Sequence, residues 1–392
     1  MKDQNTMLSC HAAWRRPCRL VLLLALAMLA AAAQAAEPAN PKATAPVGKP
    51  MPVTPEEIGA GIVSSGTVLT APPPATGTRA QPVPSWGKPL PWPIVIADRR
   101  NNRLLEVAPD KRIIWEFPSP NLTVYRGNDD VFFSPDGKTV VVNEEDNYDL
   151  HFVDYEKKAL ARTFGVSDHR GNSGPYLNYP DDARLMNEGK LVVADIRSCR
   201  ILIVNPETTL IDTQWGRPGA CRHDPPNAFG FPNGAQPLEN NDILVTEIPD
   251  AWVTYMRRDG TVAWSVKAPD IRYASDAMLM RDGQVIISDY VKPGGIVIFN
   301  PKTGRVTWEY RVASGEGMLD HPSLAEELPT GDILLNDDHR HRVLVIDRQT
   351  KQIIWQYGVT DQTGHAPGFL WNPEGLDLDM FHDWKTALGG PR

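Results

Sequence analysis

The chain of 392 residues carries a formal net charge of −8, with 42% hydrophobic and 22% charged residues. These proportions describe a globular protein and exclude wholesale disorder. The acidic balance, with no basic stripe, excludes a nucleic-acid partner, whose phosphates require a cationic surface.

Residues 1–36 read as a secretory signal peptide. Arg15, Arg16 and Arg19 precede an apolar run from Leu20 to Ala33, and Ala33-Gln34-Ala35 supplies a small-x-small cleavage pattern. The run falls short of the roughly 20 apolar residues that cross a bilayer. The mature chain is therefore expected to be periplasmic or secreted, with no stable membrane span. Retention of the signal as an anchor is the other outcome this segment allows. Residues 37–91 shift to Pro, Ala, Thr and Gly, including Pro72-Pro73-Pro74, and are expected to form a disordered linker. Removal of the signal takes Cys10 and Cys18 with it. Cys199 and Cys221 remain, and in an oxidising compartment they are expected to pair. Left as free thiols, they would instead offer metal ligands together with His223.

The remainder, 92–382, repeats itself. Pro180 to Asp195 aligns without gaps with Pro232 to Glu247 and with Ala274 to Asp289. Further copies run from Asn128 to Asn143 and from Pro322 to Asp337. Each copy holds a short strand, a turn rich in Gly, Asn or Asp, a β-branched run, a loop and a second run. A last strand carries an aromatic residue at a fixed place: Phe164, Trp215, Trp264, Trp308 or Trp355. Four short antiparallel strands per unit of about 45 residues predict propeller blades. The first unit has only three strands, Ile94 to Ala97, Arg103 to Val107 and Ile113 to Phe117. Its missing inner strand matches Pro373 to Leu378. The expected fold is all-β: a six-bladed β-propeller closed by a C-terminal strand that completes the first blade.

Gly174 to Pro180 with Asp195 and Arg200, and Gly368 to Gly375, resemble an NHL-type repeat. Asn300 to Trp308 and Asp347 to Trp355 resemble the repeats of the pyrroloquinoline-quinone-like (PQQ-like) and arylsulfotransferase-like propellers. The resemblance spans roughly residues 92–380, and these families share blade grammar while differing in chemistry. In the arylsulfotransferase-like propellers a histidine near the channel mouth carries the transferred sulfuryl group. Asp320-His321-Pro322-Ser323 resembles that position, which makes His321 the catalytic candidate, with Arg184 to steady an anion.

Blade topology places the long loops 165–179, 216–231 and 358–372 on one face, the expected working surface. Strict alternation along the inner strands puts Asp130, Asp182, Gly234, Asp276, Leu324 and Gly375 in one ring around the axis. Phe132, Arg184, Gln236, Met278, Glu326 and Asp377 form the next. Converging carboxylates raise one another's pKa unless hydrated or neutralised. A Ca²⁺ ion held by Asp130, Asp182 and Asp276 would satisfy them, and a water-filled tunnel is the alternative. The candidate ligand-binding set is Asp130, Asp182, Asn233, Asp276, Glu374 and His365. The repeated pairs Asp98/Arg103, Asp195/Arg200 and Asp337/Arg342 read as structural braces, and the Trp series as packing between blades. Two functions follow. One is a binding propeller that takes a small molecule or a protein partner on its long-loop face. The other is an arylsulfotransferase-like or other propeller enzyme using the channel-mouth histidine. Whether the chain is an enzyme stays open at this level.

Overall fold

The β-branched runs between Ile94 and Leu378 form short antiparallel strands, grouped as six four-stranded sheets. The computed structural model describes residues 90–118 and 125–384. The expected signal peptide, and all but the last two residues of the expected linker, lie outside the described residues. Among the described residues no helix is long and apolar enough to cross a membrane.

From the inner to the outer strand, blade I is Pro373–Leu378, Ile94–Asp98, Arg103–Val107 and Ile113–Phe117. Blade II is Asn128–Phe133, Thr139–Glu144, Asp149–Asp154 and Ala159–Gly165, and blade III is Pro180–Leu185, Leu191–Asp195, Arg200–Asn205 and Leu210–Gly216. Blade IV is Pro232–Pro237, Ile243–Glu247, Trp252–Met256 and Val262–Lys267. Blade V is Ala274–Leu279, Val285–Asp289, Gly295–Asn300 and Arg305–Arg311, and blade VI is Ala325–Glu327, Ile333–Asp337, Arg342–Ile346 and Ile353–Tyr357. The closing strand pairs antiparallel with Ile94–Asp98, Ile94 opposite Leu378 and Ala97 opposite Gly375. Closure leaves no open inner edge to template association.

The core lies between blades. Val95, Ala97, Leu104 and Trp115 of blade I pack on Val131, Val140 and Val142 of blade II. Leu334, Val343 and Trp355 of blade VI pack on Ile94, Ile96 and Leu376 of blade I. Outer-strand tryptophans add a polar clamp. The Trp115 indole N–H donates to the Tyr155 carbonyl at 2.8 Å and Trp308 to Arg348 at 2.8 Å. Trp355 reaches round the closure to Pro109 at 3.2 Å. The Trp series is therefore interblade packing, as its spacing predicts.

Each second strand ends in a buried acid: Asp98, Glu144, Asp195, Glu247, Asp289 or Asp337. A buried carboxylate is costly unless it accepts hydrogen bonds. Here Asp98 accepts the Trp371 N–H at 2.7 Å, Asp195 that of Asn178 at 2.7 Å and Asp337 that of Asp320 at 2.7 Å. The expected arginines complete three of the braces: Arg103 to Asp98 at 2.8 Å, Arg200 to Asp195 at 2.7 Å and Arg342 to Asp337 at 2.8 Å. In blade IV His223 takes that place, 2.6 Å from Glu247 and stacked on Trp252. Asp98 and Asp195 thereby hold the ends of the long loops 358–372 and 165–179, and Glu247, which accepts the Gly230 N–H, holds the end of the loop 216–231.

The inner strands depart from strict alternation. Between Asn128 and Val131 the register slips by one residue, as it does between Pro180 and Asp182, Pro232 and Ala235, and Ala274 and Ala277. The closing strand slips at the same place, opposite Ala97 and Asp98. A bulge sets two consecutive side chains against one on the partner strand and re-aims them. Here it occurs where the strands enter the channel.

Candidate functional site

The bulges create the site. The second residue of each inner-strand repeat, Asp129, Asp181, Asn233, Ser275, Ser323 and Glu374, lines one cavity at the channel mouth. Asp130 and Asp276 join them, and Glu145, Tyr290 and Asp338 enter from the turns after the second strands. Tyr273 completes the lining.

One buried guanidinium organises the acidic side. Arg99, at the first position of its own turn, lies 3.1 Å from Asp129, 2.8 Å from Glu145 and 3.2 Å from Asp146. It also pairs closely with Glu374 of the closing strand. Burial drives the carboxyls of Asp129, Asp130, Asp181 and Asp338 well above their ordinary pKa, and neighbouring carboxylates add to the rise. Burial likewise pushes Glu145 up to about 8 against the pull of Arg99, and Asp276 up to about 8 with Asp182 adding repulsion.

Behind Tyr273 lies an apolar and aromatic crescent. Tyr179, Ile196 and Ile248 form a buried cluster against Tyr148, Phe231 and Tyr273. Arg197 lies 3.9 Å over the Tyr179 ring. Tyr273 and Tyr290 meet at 5.4 Å between ring centres, joining this crescent to the acidic side.

Beside Tyr290 stands a histidine group. His321 is edge-on to Tyr290 at 4.9 Å and lies 4.1 Å from the His339 ring. Its Nδ1 is 2.6 Å from Asp320 Oδ1, while Lys292 Nζ is 2.6 Å from Asp320 Oδ2. Burial opposes ionisation of Asp320, but the hydrogen bonds from His321 and Lys292 prevail and hold its pKa at about 2. A carboxylate accepts only, so His321 Nδ1 carries the proton and Nε2 is left as the basic nitrogen. Burial, reinforced by His321, lowers the His339 pKa to about 4.

Of the residues expected from the sequence, Asp130, Asn233, Asp276 and Glu374 line the cavity. Asp182 instead braces the blade junction, accepting the Ala235 N–H at 2.7 Å and bonding Arg184 at 3.0 Å. Arg184 is stacked on Phe132 at 3.5 Å and is 3.4 Å from the Met278 sulfur. Among the described residues no hydrogen bond or ion pair joins Arg184 to His321. His365 does not line the cavity and lies 3.4 Å from Arg103. Cys199 and Cys221 are disulfide-bonded with Cα atoms 5.2 Å apart. The bond ties the loop 217–231 to the turn after Asp195. Asp129, Asp181, Glu145 and Asp338 escape a reading by strict alternation. The one available signal was the second repeat position, which is polar in every blade.

The family model PQQ_2, outer membrane protein assembly factor BamB, matches residues 211–368. No curated protein matches the chain. Among solved structures, a protein of unknown function from Bacteroides caccae is 14% identical with a TM-score of 0.51, covering 73% of this chain and 98% of its own. The nidogen/laminin complex gives 11% identity and a TM-score of 0.52, covering 74% and 99%. Virginiamycin B lyase from Staphylococcus aureus, solved with quinupristin, gives 13% identity and a TM-score of 0.48, covering 70% and 86%. At such identities the likeness is one of fold. Six closed four-stranded blades make this chain a six-bladed β-propeller, and its residues 211–368 are similar to the PQQ-like repeats of that family model.

Proposed function

We propose that this protein is an exported binding propeller that holds a small ligand at its channel mouth. The observation that carries the reading is the convergence of all six inner-strand repeats on one cavity. Carboxyl, amide and hydroxyl groups converging beside the rings of Tyr273 and Tyr290 favour a small polar ligand over a flat protein epitope. The signal-like segment 1–36 and the Cys199–Cys221 disulfide support export to an oxidising compartment.

The test is a thermal-shift screen of the purified protein against amines, sugars, aryl sulfates and hydrophobic esters. A stabilising compound is expected, with its effect lost in Tyr273→Ala and Asn233→Ala. A panel without a stabiliser, or one whose effect both variants retain, would overturn the reading.

One observation favours an enzyme: the Asp320–His321 contact leaves Nε2 as a candidate general base at the rim. Sulfuryl transfer fits less well. The cavity is lined by seven acidic side chains (Asp129, Asp130, Glu145, Asp181, Asp276, Asp338 and Glu374) and by no Lys, Arg or His that could receive an anionic ester. Arg184, the anion partner expected from the sequence, is engaged with Asp182. If His321→Ala abolishes turnover of an aryl ester while leaving ligand binding intact, the catalytic reading gains over simple binding.

A further inference from the structure

The charges at the channel mouth do not balance. Arg99 pairs with Asp129, Glu145 and Glu374. Among the described residues no Lys, Arg or His lies within ion-pair distance of the other four lining acids, Asp130, Asp181, Asp276 and Asp338. Two oxygens of these acids, Asp276 Oδ1 and Asp338 Oδ2, are fully buried and accept no hydrogen bond. A buried carboxylate oxygen with no donor is a costly arrangement unless something positive reaches it.

The geometry says what that is. One oxygen each from Asp129, Glu145 and Asp181 lie within 4.8 Å of one another. Oxygens bound to one Ca²⁺ at about 2.3–2.6 Å are separated by at most about 5 Å, so the three can share an ion. The lining offers carboxylates, hydroxyls and an amide, and no thiol or imidazole, a donor set that favours a hard cation over zinc or copper. The Asp320–His321–His339 group is the poorer metal site, because Lys292 and His321 already occupy both oxygens of Asp320.

We infer that a hard divalent cation of the Ca²⁺ class binds at the channel mouth through Asp129, Glu145 and Asp181, neutralising Asp276 and Asp338 beside it. The inference deepens the binding reading: the cation is the cavity's first ligand and gives a second, oxygen-bearing molecule something to dock against.

The experiment uses the full chain, stripped with chelator and dialysed, with Ca²⁺ alone as probe. Calorimetric titration should show saturable binding, and the melting temperature should climb with Ca²⁺ concentration, as it must for an ion bound only by the folded state. Asp181→Asn and, separately, Asp338→Asn should weaken binding by about tenfold or more while leaving the stripped protein at least as stable, because each replaces a buried acid that has no cation within ion-pair distance. Absence of binding and of any melting shift at millimolar Ca²⁺, Mg²⁺ and Mn²⁺ would overturn the inference. So would an undiminished response in both variants, which would mark adsorption elsewhere on an acidic surface. A small molecule that still binds in chelator would leave the binding reading standing without the ion, so the two failures are distinguishable.

Discussion

Arg99 and Glu374 stand 275 residues apart in sequence and form a buried ion pair at the channel mouth. One belongs to the turn after the first strand of the propeller and the other to the last strand. The pair therefore joins ring closure to the site itself. Arg99→Leu leaves Asp129, Glu145, Asp146 and Glu374 without their shared cation. The expected loss is about 3–5 kcal/mol, the usual cost of stripping a buried charge of its partner. Urea denaturation measures it, and a loss below about 1 kcal/mol would show that the acids hold their geometry without the guanidinium.

Ring closure has a second fastening in Trp355, which is fully buried and donates to Pro109. Trp355→Phe keeps most of the packing and removes the N–H, with an expected cost of about 1–2 kcal/mol. Trp355→Ala also empties the joint between blades VI and I, at about 3–5 kcal/mol. Equal losses in the two variants would assign the whole effect to the hydrogen bond.

The Cys199–Cys221 disulfide closes a loop with a sequence separation of 22. Chain entropy for a loop of that size gives about 3 kcal/mol. The double variant Cys199→Ser/Cys221→Ser should lose about that much by chemical denaturation. In the native sequence both sulfurs should resist thiol labelling after unfolding without reductant. Labelling of both would remove the disulfide.

Glu106 gives a dependence on pH away from the cavity. Burial, with a hydrogen bond to Asp379, raises its carboxyl from 4.5 to about 8, while the Tyr155 hydroxyl at 2.5 Å pulls the other way. The folded state thus holds the proton more tightly than the unfolded chain. Its contribution to stability is complete below pH 4.5 and is lost progressively as the pH rises to about 8. Glu106→Gln, which cannot ionise, should flatten the stability profile across that window by a few kcal/mol. An unchanged slope would place the titration elsewhere.

Blade count and closure were legible because repetition averages out local ambiguity. Leu191, Ile243, Val285 and Ile333 occupy equivalent places, and no single strand has to be identified alone. The braces Asp195–Arg200 and Asp337–Arg342 were legible for the same reason. The site was legible only in part. A period of two assigns Asp130 and Asp276 to the axis but turns Asp129 and Asp181 away from it. The bulges at Asn128–Val131 and Pro180–Asp182 break that period. Those inner strands carry no glycine at the bulge to mark it, so pattern alone could not find it. Glu145 and Asp338 come from turns whose sequences differ in every blade. Only the fold brings them to the mouth.

The strand 373–378 is the last piece of the propeller to leave the ribosome and, for an exported chain, the last to cross the membrane. Until it arrives, Ile94–Asp98 waits as an unpaired edge and the channel mouth lacks Glu374. A chain interrupted anywhere upstream is therefore both adhesive and unable to complete its site. Completeness of synthesis is thereby checked by the architecture: only a finished molecule is sealed, and only a sealed molecule carries Glu374 at its channel mouth.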